Sequence, residues 1–129
     1  MSTYILANKQ VIEFSKRVNI GHKSDTYGVR DMSILLEINS NLFKLQGSIY
    51  EKAAYVLQQI CKKHPFESAN RRTAYILAIT ILFSNLSQEE FDFQKKLTQF
   101  FKPESPKIMT KIRTTDDYSI EDIVKWLKK

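Results

Sequence analysis

The chain has 129 residues, of which 43% are apolar and 26% charged, and a net charge of +6. That is enough chain to bury the core of one domain and too apolar a composition for a disordered segment. No apolar run reaches the roughly 18 residues a membrane span needs, no basic-then-apolar leader is visible, and the lone Cys61 excludes a disulfide framework or a thiolate metal cluster.

The expectation is therefore a single cytoplasmic domain over residues 1–129, with an anionic partner favoured by the charge. Only three Gly and three Pro interrupt the chain, which favours helices. Residues 8–18 fit a short amphipathic helix, with Val11, Phe14 and Val18 on one face. Residues 19–27 are polar, contain Gly21, and are expected to form a loop in which His22 has no chemical neighbour at motif spacing. Asp31 is a good N-cap for a helix running to about Ile38, with Leu35 and Ile38 facing inward.

Residues 39–48 contain Asn-Ser-Asn and Gly47 and are expected to break the chain; residues 42–45 within them could be extended. Ser48 and Glu51 then resemble a capping box. The helix they open carries Ile49, Ala53, Val56, Leu57 and Ile60 on one face and should stop near Lys63, because Pro65 disfavours helix at the residue before it. Residues 73–83 are apolar on nearly every side, as in the buried centre of an all-α domain. Ser87 and Glu90 have capping-box spacing, and Phe93, Leu97, Phe100 and Phe101 follow at helical intervals. Pro103 and Pro106 are expected to end that helix in a loop. Tyr118 and Ser119 begin a last helix with Ile120, Ile123, Val124 and Leu127 on one face. The fold expected is all-α, a compact helical bundle of six or seven helices with a central buried helix.

The chemistry concentrates between His64 and Arg72. Nine residues, His64-Pro65-Phe66-Glu67-Ser68-Ala69-Asn70-Arg71-Arg72, hold an imidazole, a turn-forming Pro, an aromatic, an amide and two guanidinium groups. An apolar helix follows at once. Its N-terminus offers unpaired N–H groups and a favourable dipole to an anion, and the arginines add charge-assisted hydrogen bonds. Imidazole as a class titrates near neutrality, which suits proton abstraction from a hydroxyl. His64 could equally be a helix C-cap. Asn70 could cap the next helix or bind phosphate, and Arg72 could be a phosphate ligand or a surface ion-pair partner. Small Ala69 would let a ligand approach the backbone, and Phe66 would anchor the loop to the core. Cys61 reads as a small buried residue, although Lys62 and Lys63 beside it could lower its pKa. Two His and one Cys do not make a zinc signature, and no residues are assigned to a metal. The charge alone does not indicate direct nucleic-acid binding, since no basic–aromatic interleaving or recognised motif accompanies it.

The stretch from His64 to Ala74 resembles the signature of the Fic/Doc family, in particular its Doc (death-on-curing) branch: His, usually Pro, Phe, any residue, an acidic residue, Gly or Ala, Asn, Gly or Lys, then Arg. Gly28-Val29-Arg30-Asp31 is similar to the Gly-Leu-Arg-Asp stretch of Doc proteins, and Tyr50-Glu51-Lys52-Ala53-Ala54 looks like the Doc helix leading into the motif. The resemblance implies that His64 is the base that deprotonates a hydroxyl of a target protein. It implies ATP as the nucleotide, held by Ser68, Ala69, Asn70, Arg71 and Arg72. Fic proteins with Gly after Asn transfer AMP; Doc toxins with Lys there transfer phosphate. Arg71 stands at that position, and its bulk favours the Doc-like kinase. By the same analogy the target is a threonine of elongation factor Tu, the effect is inhibition of translation, and the partner is a Phd-like antitoxin of a toxin–antitoxin system. The alternatives are a Fic-type AMP transferase and a catalytically weak nucleotide-binding protein. The family's acidic Mg²⁺ ligand falls at Ser68, a poor ligand for a hard cation, with Glu67 one position early. Residues 42–45 fall where the family places a flap that docks its target as an added strand. Ser33 to Glu37 has the spacing of the family's inhibitory helix, but Ile38 follows where Gly or Asn is required.

Overall fold

The computed structural model describes residues 31–65, 70–87, 91–115 and 118–129. Among these residues the fold is all-helical: α1 (Met32–Lys44), α2 (Ile49–Lys63), α3 (Asn70–Asn85), α4 (Phe93–Gln99), α5 (Glu104–Thr114) and α6 (Ile120–Lys128). The helix expected over residues 8–18 and the loop over 19–27 lie outside the described residues. No described helix is long and apolar enough to cross a membrane.

Asp31 caps α1 as expected: its Oδ1 accepts the Ser33 N–H at 3.0 Å. The helix does not stop near Ile38. It runs on to Lys44, so neither the break expected at residue 39 nor an extended segment at 42–45 is found. The reason is tertiary. Leu42 continues the stripe of Leu35 and Ile38 one turn further, and all three are buried. Burying that leucine outweighs the weak helix propensity of Asn39, Ser40 and Asn41. The chain leaves the helix at Leu45, which is extended, and Ser48 reopens it.

The capping box that opens α2 is complete. Ser48 Oγ accepts the Glu51 N–H at 3.1 Å, and the Glu51 carboxylate accepts the Ser48 N–H at 3.4 Å. α2 is the hub of the bundle, packed against α1, α3, α5 and α6. Ala53 and Ala54 are fully buried on it, and such small side chains let neighbouring backbones approach closely. Val56, Leu57, Ile60 and Cys61 complete its buried surface.

α3 makes its most extensive packing with α2. Nine of its sixteen residues are buried, which agrees with its near-continuous apolar sequence. Tyr75 ties it to two other elements. Its ring lies 5.2 Å from Phe100 and 5.4 Å from Trp126, and its hydroxyl donates to the Lys96 carbonyl at 2.7 Å.

α4 begins at Phe93 with Asp92 as its cap, Oδ1 accepting the Lys95 N–H at 3.1 Å; the expected Ser87–Glu90 box falls outside the described residues at Glu90. One expectation for the C-terminal half needs correction. Pro103 and Pro106 do not make a loop. Pro103 is the N-cap of α5 and Pro106 sits in its first turn, where a proline's missing N–H would have had no intrahelical partner. α5 then buries Ser105, Met109 and Ile112. The last helix starts at Ser119 as expected, opened by a Ser119–Asp122 capping box. Ile123 and Leu127 are buried, Ile120 and Val124 are partly buried against the core, and Trp126, not expected on that face, is buried with them.

Candidate functional site

A cavity of about 520 Å³ opens between the α2–α3 junction and the α4–α5 corner, a volume within the range of small-molecule sites. His64, Asn70, Arg71 and Arg72 line it from the motif side. The sequence reading had grouped these four, and the fold brings them to one space. Ser68 and Ala69, assigned to the same site, lie outside the described residues, as do Phe66 and Glu67.

His64 is held by its backbone. It is the C-cap of α2, in the left-handed region at φ 49° and ψ 61°, and its N–H donates to the Ile60 carbonyl at 3.1 Å. It is the only non-glycine residue with positive φ among the described residues. This conformation costs a bulky residue on the order of 1 kcal/mol, and it ends the helix abruptly at the cavity wall. The C-cap reading and the functional reading of His64 are therefore compatible, since the backbone caps and the residue lines the cavity. The turn after it is pinned as well. The Asp31 N–H donates to the Pro65 carbonyl at 3.0 Å. Asp31 thus starts α1 with its side chain and holds Pro65 with its backbone, joining two segments that are far apart in sequence.

Asn70 is the first residue of α3 and is buried; Arg71 is exposed and Arg72 half-buried. All three belong to the first turn, where the helix dipole favours negative charge.

The opposite wall was not anticipated. Phe100, Phe101 and Lys102 follow α4, and Ser105, Met109 and Arg113 lie along α5. The usable signal was the spacing of Ser105, Met109 and Arg113 at every fourth residue, hidden by reading the two prolines as loop formers. Arg71, Arg72, Lys102 and Arg113 make the cavity strongly positive, and among the described residues that line it there is no carboxylate. The described residues hold no cluster of three His, Cys, Asp or Glu side chains suited to a metal. This lining fits an anion. It does not by itself fit Mg²⁺, which wants carboxylate or phosphate oxygens.

Glu37, on α1, pairs with Lys63 on α2 at 2.9 Å. The Ser33-to-Glu37 segment therefore turns its acidic end toward α2.

Cys61, in the last turn of α2 before His64, is fully buried. Burial pushes its thiol up to about 12, against the weaker opposing pull of Arg71 and Arg113. A pKa lowered by Lys62 and Lys63 is not found, because desolvation dominates. In the unfolded chain the thiol ionises near 9.0. Between these values unfolding releases a proton, so rising pH favours the unfolded chain; below 9.0 this contribution is constant. We expect unfolding free energy to fall between pH 9 and 11 by about 1.4 kcal/mol per pH unit more in the wild type than in Cys61→Ala. Equal slopes in urea titrations of the two proteins would contradict this assignment.

Residues 20–82, just under half of the chain, match the model of the Fic/DOC family. Members of that family are typically transferases acting on proteins, with a helical fold. The matched segment takes in α1, α2 and most of α3, and so includes the whole stretch from His64 to Arg72. α4, α5 and α6 lie beyond it. No curated protein and no solved structure matches the chain.

Proposed function

We propose that the chain is a protein-modifying transferase of the Fic/Doc type, with a nucleotide as donor and a hydroxyl of another protein as acceptor. The observation that carries this reading is the convergence of His64, Asn70, Arg71 and Arg72 on one cationic cavity, inside the segment that matches the family model. The first turn of α3 and its arginines receive the phosphates of ATP. The acceptor oxygen attacks the γ-phosphorus, its proton passes to the His64 imidazole, and the bond from the γ-phosphorus to the β–γ bridging oxygen breaks, releasing ADP. The backbone near Ala69 and the Ser68 side chain belong to the same proposed phosphate cradle.

Arg71 favours phosphate transfer over AMP transfer. It occupies the position where AMP-transferring relatives of the motif have Gly, and its bulk crowds the slot that the terminal phosphate takes in AMP transfer, so that the nucleotide enters inverted and presents its γ-phosphate to His64. The physiological reading that follows is a Doc-like toxin acting in the cytoplasm, with a threonine of elongation factor Tu as target and a Phd-like antitoxin as regulator.

The test uses the purified chain, a bacterial extract and ATP labelled at either phosphate. Label from γ-phosphate on a protein is the expected result; label from α-phosphate alone would establish AMP transfer instead. Nucleotide binding with no label from either position would support the catalytically weak alternative. Arg71→Gly is expected to raise α-label relative to γ-label, and an unchanged ratio would remove Arg71 as the determinant.

A further inference from the structure

The cavity has two unlike ends. Arg71 and Arg113 both act on the thiol of Cys61, so both stand near the C-terminus of α2, where His64 caps that helix. Phe100, Phe101, Lys102, Pro103 and the first turn of α5 line the same cavity, and Ser105 in that turn precedes Arg113 by about two turns of helix. Ser105, Met109 and Arg113 share one face of α5, so this face runs along the cavity for about 12 Å.

Phe101 is 78% exposed, more than any other large apolar side chain among the described residues. It is nonetheless well supported. Its ring meets Phe100 edge-on with centroids 5.5 Å apart, and Phe100 rests against Tyr75 of the core. An aromatic ring held against the core and left in water on the wall of a cavity marks a place for an apolar, planar ligand group. Ser105 lies in the same wall with a buried hydroxyl that has no hydrogen-bond partner among the described residues.

We infer that Phe101, backed by Phe100, is the platform on which the base of the nucleotide stacks, with the phosphates at the α3 end and the ribose between them. The inference rests on the nucleotide reading above and adds the direction in which the nucleotide lies and the residue that holds its base. Phe101 lies beyond the segment that matches the family model.

Binding calorimetry on the full chain tests it, with ATP and inorganic tripolyphosphate as probes and circular dichroism to confirm that variants are folded. The wild type is expected to bind ATP more tightly than tripolyphosphate. Phe101→Ala should weaken ATP binding by about 5- to 150-fold and leave tripolyphosphate unchanged, while Phe101→Tyr retains the wild-type preference. GTP should lose by a similar factor, because every base has a π-face to stack. A Phe101→Ala protein that keeps the full preference for ATP would overturn the platform. So would a wild type that binds ATP and tripolyphosphate equally, with the phosphate site left intact. A wild type that binds neither would remove the nucleotide reading itself, and the platform with it.

Discussion

His64→Asn is expected to lower transfer of label from ATP to protein by about 100- to 10,000-fold while leaving the fold intact, the range attributed to a positioned general base. The choice of asparagine follows from the geometry. His64 ends α2 at positive φ, with its N–H on the Ile60 carbonyl. Asparagine tolerates that backbone conformation better than most residues but offers no titratable base. The structural and chemical roles of His64 are thereby separated. His64→Ala should be as inactive and somewhat less stable, since alanine gains nothing in the left-handed region. Undiminished labelling by His64→Asn, measured on protein whose unfolding midpoint matches the wild type, would show that His64 only caps the helix.

Tyr75→Ala is expected to destabilise the fold by about 3–5 kcal/mol, the range for removing a large aromatic from a packed core. Tyr75 is almost wholly buried, packed at a tilt against Phe100 and Trp126, and bonded through its hydroxyl to α4. Burial holds its phenol above the ordinary range, so it remains a hydrogen-bond donor at all working pH values. Tyr75→Phe keeps the rings and removes only that donor, and should cost about 1–2 kcal/mol. Trp126 is the single tryptophan of the chain, so its fluorescence reports urea unfolding of both variants directly. A cost below about 1 kcal/mol for Tyr75→Ala would mean that α3 and α4 are not joined through this ring. Because Tyr75 also supports Phe100 on the cavity wall, Tyr75→Ala should weaken ATP binding in whatever fraction remains folded.

Helix starts were legible in the sequence where a side chain caps the backbone locally. Asp31, Ser48 and Ser119 each open a helix at the expected place, and the Ser48–Glu51 box is complete. The stop of α2 before Pro65 was legible for the same reason, because the steric effect of proline acts on its neighbour. The extent of α1 was not. Asn39, Ser40 and Asn41 disfavour helix locally, and only burial of Leu42 against the bundle reverses the balance. α5 was missed for a related reason. Proline reads as a breaker everywhere except in a first turn, and whether Pro103 and Pro106 fall in one depends on where Met109 and Ile112 are buried.

The same division separates the two sides of the site. The amino-acid sequence by itself determined the motif side, since His64, Asn70, Arg71 and Arg72 are near neighbours along the chain, and a helix end followed by a helix start must place them close together. Covalent proximity and local capping suffice for that. Only the tertiary structure decided what faces them. Phe100, Phe101, Ser105, Met109 and Arg113 arrive by the packing of α5 on α2 and of Tyr75 on Phe100, contacts that are paid for by burial at a distance and leave no local trace in the residues that make them. The buried state of Cys61 belongs to this class too: two lysines follow it in sequence, yet desolvation within the bundle sets its chemistry.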